Sequence, residues 1–332
     1  MRGKGITYDT GFINPAGVST REPFDPEAVR RDMRVIRDEL HCTAVRVTGG
    51  DPDHLEIAAE RAADAGLEVW FSPFPCGLTT DALLALLADC AGRAERLRRR
   101  GAEVVFLTGS ELSLFTVGFL PGDTLDERIG LLFTPDRLRA ALPELPARVN
   151  DFLGRAVATV RERFGGRVGY ASLPFEGVDW TPFDIVATDA GYRSAEVAAH
   201  FRDGVRALVA QGKPFAVTEF GCTTHRGAGD KGGRGDLIIE WGADGRAVRL
   251  DGDYIRDEDE QAAYIGELLD VFESEGVDTA FVNTFARYDL PHRAAPRDDL
   301  DRASYGVVKV RPDLSWEPKV AFHALAERYR QG

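Results

Sequence analysis

Eight short runs rich in β-branched and aromatic residues recur along the chain, and segments with helical spacing separate them. The runs are Gly5–Tyr8, Ala44–Val47, Glu68–Phe71, Glu103–Leu107, Arg167–Ala171, Ile185–Thr188, Phe215–Thr218 and Thr279–Val282. They are nearly continuous in hydrophobicity rather than alternating, the pattern of parallel strands buried on both faces. Helical patterns lie near 27–40, 53–65, 80–100, 148–164, 196–211, 258–275 and 317–330. The fifth and sixth runs are so close that the helix between them must be small or missing. Punctuation agrees with this division. Asp25-Pro26 puts proline at a first helical turn, and Asp257 with Glu260 has the spacing of a capping box. Gly66, Gly101, Gly212 and Gly276 follow helices where a left-handed cap is wanted.

Repeated strand–helix units permit a closed barrel or a long doubly wound sheet. The count of eight favours the α/β class and a (β/α)8 TIM barrel, as does the absence of G-x-G-x-x-G after the first run. We therefore expect residues 1–332 to form a single barrel domain. A plain barrel needs ~250 residues. The surplus of roughly 80 falls at about 112–147, 223–254 and 286–303, after the fourth, seventh and eighth strands. That is the C-terminal face, where barrel enzymes keep their sites. Stability alone gives no reason to lengthen loops on one face only.

Charge narrows the partners. With 41 Lys+Arg against 54 Asp+Glu and no basic run, the formal charge of −13 leaves no footprint for nucleic acid. No apolar stretch approaches the ~20 residues that cross a bilayer. Met1–Ile6 enters the first strand with no signal-peptide core, so a cytoplasmic protein is expected. Cys42, Cys76, Cys90 and Cys222 are too far apart for a zinc or redox motif and read as reduced thiols.

The ends of barrel strands point into or around the mouth. Here they carry Tyr8 and Asp9, Arg46 and Thr48, Phe71 and Phe74, Ser110 and Glu111, Ser172, Asp189 and Tyr192, Glu219, and Asn283 with Phe285. Glu111 and Glu219 stand out, because a strand drives each out of an apolar core at a desolvation cost that needs a reason. Strands four and seven lie on opposite sides of a barrel, so the two carboxyls can face one another. Glycosidic cleavage needs such a pair, one protonated to help the leaving oxygen depart and one ionised to attack. Arg46 is placed to keep the attacking group ionised, and Tyr192 to donate a hydrogen bond to it. The plainer alternative is a separate salt bridge for each glutamate.

Candidate substrate-binding residues are Asp9, Arg46, Phe74, Ser110, Asp189, Tyr192, His225, Asn283, Phe285 and Arg287, with Tyr288 and His292 also in mouth loops. Asp9, Asp189, Glu219 and His225 lack the spacing of a metal motif, and no metal or cofactor is expected. Residues 227–235 are glycine-rich, but Lys231 is not followed by the Ser or Thr of a phosphate loop. Asp236–Trp241 and Arg246–Leu250 flank a Gly-rich turn and read as a hairpin. The apolar segment Leu114–Gly122 reads equally as a lid over the mouth or as packing against a helix or a second copy.

Val217-Thr218-Glu219-Phe220-Gly221 resembles the nucleophile strand of the large clan of retaining (β/α)8 glycoside hydrolases. Glu258–Tyr264 resembles the helix after that clan's nucleophile loop, and Tyr305–Val308 with Trp316–Leu325 its last βα unit. The resemblance implies that Glu111 is the acid/base and Glu219 the nucleophile, with Arg46 matching the strand-two arginine. It implies a small-molecule or oligosaccharide substrate. Two positions depart from the clan. Ser110 stands where an asparagine usually binds the sugar 2-hydroxyl, and Asn283-Thr284-Phe285 stands where a tryptophan usually floors the subsite. Phe285 is the substitute the resemblance offers. These departures keep two other functions open, a barrel that binds a sugar or metabolite without turnover, and a hydrolase or lyase with a non-glycoside substrate. The whole chain is also similar to actinobacterial proteins carried under an abortive-infection label, which is a name and not a mechanism.

Overall fold

In a computed structural model describing residues 1–331, eight parallel strands form one sheet. They are β1 (Gly3–Asp9), β2 (Ala44–Gly49), β3 (Glu68–Pro73), β4 (Val104–Ser110), β5 (Arg167–Ala171), β6 (Val186–Thr188), β7 (Phe215–Phe220) and β8 (Thr279–Val282). The order is β5-β4-β3-β2-β1-β8-β7-β6. A parallel bridge between Ser172 and Thr188 brings the two outer strands together, and the Ser172 hydroxyl donates to the Ala187 carbonyl at 2.8 Å. The architecture is a (β/α)8 barrel.

Side chains divide by the two-residue period of a strand. One set fills the barrel: Ala44, Trp70, Val105, Leu107, Ala171, Ile185, Ala187, Ala216 and Phe281 form a closed cluster, with Trp70 packed edge-on against Phe281 at 4.9 Å between ring centroids. The other set, including Val45, Val47, Phe71, Phe106, Val186 and Val217, packs with the buried faces of the surrounding helices. Arg46 shares the inward parity of Ala44. A guanidinium therefore tops the apolar plug.

Helices start and stop where their end residues dictate. Asp25 accepts from Glu27 N and Pro26 opens the helix Pro26–Asp38. Asp257 caps Glu258–Glu275 by accepting from Glu260 N, but the reciprocal half of the box is absent. The Glu260 carboxylate instead takes Gly227 N at 2.8 Å and Gly229 N at 3.1 Å, tying this helix to the loop after β7. Gly66, Gly101, Gly212 and Gly276 all have positive φ, the conformation in which a Cβ is penalised.

The long segments follow β4, β7 and β8. After β4 come the helices Leu125–Leu132 and Pro135–Ala141. The apolar stretch before them is packed down: Leu114, Phe119 and Leu120 are buried, and Phe119 meets Phe152 of the helix Leu145–Arg161. Buried Arg128 clasps that stretch through the carbonyls of Leu114 at 2.5 Å and Gly122 at 3.0 Å. After β7 an antiparallel hairpin pairs Ile239–Trp241 with Ala247–Leu250. Between β5 and β6 there is only the single turn Pro174–Glu176. No described helix is long and apolar enough to cross a membrane.

Candidate active site

Arg46 organises the mouth. It has no exposed surface, and each nitrogen has a partner. Its Nη1 donates to Asp189 Oδ1 at 2.7 Å, Glu219 Oε1 at 3.0 Å and the Thr218 carbonyl at 3.1 Å. Its Nη2 donates to Ser110 Oγ at 3.1 Å and its Nε to Ser72 Oγ at 3.1 Å. The Ser110 hydroxyl in turn donates to Asp189 Oδ2 in a short hydrogen bond. One buried cation thus ties together the ends of β2, β3, β4, β6 and β7. A charge so placed persists only where partners repay its lost hydration.

Glu219 lies at the edge of this network with its side chain 16% exposed. Its Oε1 faces Arg46, and its Oε2 accepts from the Tyr192 hydroxyl at 3.1 Å. Asn283 Nδ2 donates to that hydroxyl at 2.8 Å, which leaves its proton for the carboxylate. Burial and the neighbouring Asp189 charge push the Glu219 carboxyl up to about 7, while Arg46 and Tyr192 pull it back.

Glu111 has the opposite setting. Its backbone is left-handed, at φ 47° and ψ 45°, and it precedes the turn Leu112–Phe115 without capping it. A non-glycine residue held there is strained by about 1–3 kcal/mol, a feature that clusters at functional sites. Burial raises its carboxyl well above the usual range, and the charges of Asp189, Glu219 and Glu176 raise it further against the weaker opposition of Arg46. The direct cation contact belongs to Glu219, so the proton of the pair resides preferentially on Glu111.

The other expected residues divide into those that meet the mouth and those that do not. Phe74 packs with Phe12 at 5.3 Å and Phe115 at 4.7 Å between centroids, making a partly exposed aromatic trio from the loops after β1, β3 and β4. Arg287 is held by Asp289 through two bonds of 2.9 and 2.7 Å, and Asp236 and Asp9 lie within range to raise its basicity. Asp9 accepts from Gly11 N, Phe12 N and the Thr20 hydroxyl, so both of its oxygens serve its own loop.

Several expected substrate contacts need correction. Phe285 has no exposed surface; it packs against Tyr8 and Trp316 and cannot floor a sugar. His225 is buried, with Nδ1 within hydrogen-bonding distance of the Thr223 hydroxyl and the Arg302 carbonyl, and its ring lies against Tyr254. Arg46, Ser110 and Asp189 are spent on one another and on Glu219, which removes them from direct contact with a substrate. Tyr288 donates to buried Asp32, and His292 pairs with buried Asp299, so both reinforce the loop after β8. Phe12, Phe115, Asp236, Asp289 and Glu176 join the site without having been singled out individually. Only Phe115 had a signal, since it sits in the apolar segment that stood out in the sequence.

No family model matches the chain, and no curated protein matches it significantly. Solved structures do. A β-1,4-mannanase of glycoside hydrolase family 113 matches with a TM-score of 0.60 and 17% identity over the whole of both chains. A family 113 β-mannanase from Alicyclobacillus acidocaldarius matches with 0.61 and 17%, covering 99% of this chain and 97% of that one. A β-glucuronidase from Parabacteroides merdae matches with 0.59 and 14%, covering 99% of this chain but 36% of that longer one. The fold is that of (β/α)8 glycoside hydrolases. Identity this low makes the likeness one of architecture.

Proposed function

We propose that this glycosidase-like barrel is a glycoside hydrolase working by retaining double displacement. In the first step Glu219 attacks the anomeric carbon as the bond to the leaving oxygen breaks, and Glu111 gives that oxygen its proton. In the second step Glu111, now ionised, takes a proton from water as the water oxygen displaces Glu219. The observation that carries this reading is the division of labour between two half-buried glutamates. One is bonded to a cation and a tyrosine hydroxyl, and the other sits among carboxylates. The chemistry asks for no cofactor.

The partly exposed groups that can meet a sugar are Tyr192, Asn283 and Arg287, and the Phe12–Phe74–Phe115 trio offers a face for an apolar ring or aglycone. Asp9 serves by shaping the loop that carries Phe12. The neighbours are named as β-mannanase, β-glucuronidase and β-glucosidase, and we extend the β-linkage to the small glycoside or oligosaccharide taken here.

An activated 2-fluoro β-glycoside tests the proposal. A stable adduct on Glu219, found by peptide mass spectrometry, supports it. Hydrolysis of a β-glycoside with inversion at the anomeric carbon overturns the retaining step, and the absence of both adduct and turnover across β-glycosides overturns the hydrolase. A second reading, a sugar-binding barrel without turnover, is favoured by the Ser110 hydroxyl being consumed within the network. It predicts saturable sugar binding with no adduct.

A further inference from the structure

The first two backbone N–H groups after Glu111 have no partner within their own turn, as at the start of any helix. A side chain at the residue before the turn ordinarily satisfies one of them. Glu111 does not. Leu112 N donates to the Tyr170 hydroxyl at 2.9 Å, and Ser113 N donates to Glu176 Oε1 at 2.9 Å. The Tyr170 hydroxyl donates to Glu176 Oε2 at 2.8 Å, and Leu173 N joins the same oxygen at 2.9 Å. Glu176 has no exposed surface and no cation among its bonding partners. It lies in the one-turn connection between β5 and β6, where one oxygen caps its own turn through Leu173 N and the other crosses to Ser113 N, bonds that offset the cost of burying the carboxylate.

We infer that Glu176 is a positioning residue for Glu111: with Tyr170 it supplies the cap that Glu111 withholds, which fixes the left-handed backbone and frees the Glu111 carboxyl for the mouth. The inference deepens the proposed function and rests on Glu111 being its acid/base. Four charged groups act on the Glu111 carboxyl: Asp189 after β6, Glu219 on β7, Glu176 after β5 and Arg46 on β2. Three of them repel its ionised form. Glu176 is the one that also bonds the backbone of the turn following Glu111, at Ser113 N, so one side chain both braces the turn that carries the acid and favours its protonated form.

The test uses the full chain labelled with carboxyl-13C glutamate, with the Glu111 resonance assigned by its loss in Glu111→Gln. In Glu176→Gln the Glu111 titration midpoint is expected to fall relative to wild type. The kcat/KM of a phenyl β-glycoside, which needs a proton on its leaving oxygen, is expected to fall on the order of tenfold. The kcat/KM of a dinitrophenyl β-glycoside, which needs none, should change little, because kcat/KM reports the first step and excludes the later water attack in which Glu111 acts as base. An unchanged midpoint, or equal loss on both substrates, overturns the inference. If Glu176→Gln does not fold, Tyr170→Phe removes one hydroxyl of the same strut. It must show the same split between leaving groups with the midpoint kept, and no split overturns the inference. If wild type turns over no glycoside, the hydrolase reading falls and the titration alone decides the link between Glu176 and Glu111.

Discussion

An arginine bridges carboxylates at each end of this barrel, and the two bridges do different things. At the N-terminal end Arg2 reaches Glu68 at 2.5 Å and Asp278 at 3.0 Å, with Thr279 beside them. At the mouth Arg46 reaches Asp189 at 2.7 Å and Glu219 at 3.0 Å. The distances are alike. Exposure is not: the Arg2 side chain is 44% exposed and that of Arg46 is 0%. At the lower bridge the carboxylates of Glu68 and Asp278 are partly covered, at 12% and 26% exposed, but the arginine stands half in solvent, which screens its charge, and its long side chain must be ordered, so the bridge gains less. Out of water the upper bridge decides which of two glutamates keeps its charge. Desolvation turns the same ion pair from a minor clasp into an assignment of chemical roles.

Substitutions at the upper bridge should show the largest effects. Glu219→Gln is expected to lower turnover of a β-glycoside on the order of 10⁴-fold while sugar binding persists, measured by steady-state kinetics and calorimetry. Retention of even a tenth of the activity would break the assignment. Arg46→Met leaves Asp189 buried without its cation and is expected to cost about 3–5 kcal/mol in denaturant unfolding.

The pH profile sharpens the comparison. In the proposed mechanism turnover needs Glu219 ionised and Glu111 protonated, a state populated between their two midpoints. We expect kcat/KM to fall on the acid side near pH 7, where Glu219 takes up its proton, and on the alkaline side at a higher pH set by Glu111. A profile peaking at pH 4–5 would refute this. The same shifts act on stability. Unfolded glutamate titrates near about 4.3, and folding raises both carboxyls. The folded state is therefore favoured by protonation at low pH and loses that advantage as pH rises from about 4.3 through about 7 for Glu219. Glu111→Gln should consequently stabilise the chain at pH 8, by about 1 kcal/mol, as it abolishes acid catalysis. The smallest effect belongs to the lower bridge. Arg2→Ala should change stability by less than about 1 kcal/mol and leave turnover untouched.

The regular parts of the molecule were legible because their signals are local. All eight strand runs fall on barrel strands, and Thr279–Val282 and Arg167–Ala171 match at both ends. The helix read at 258–275 has those bounds as well. Glu111 and Glu219 could be picked out as carboxylates at the ends of apolar runs. Arg46 and Tyr192 could be placed beside Glu219 because strand ends converge in a barrel. Phe285 and His225 misled because sequence does not give the direction of a side chain in an irregular loop. Phe285 follows the end of β8 and turns back into the packing beneath the mouth, where Trp316, 31 residues on, covers it. Glu176 carried no signal at all: it is a single acidic residue in a connection too short for a pattern, and its partners Ser113 and Tyr170 come from other segments.

Spacing and hydrophobic period alone determined the barrel, the face that carries the long loops, and the two glutamates at strand ends, because each is written within a stretch of ten or so residues. Only the closed structure decided which glutamate faces Arg46, which is ringed by carboxylates, and which loop residues turn inward. Those outcomes depend on dielectric and distance among groups far apart in the chain, and neither quantity exists until the strands have closed around them.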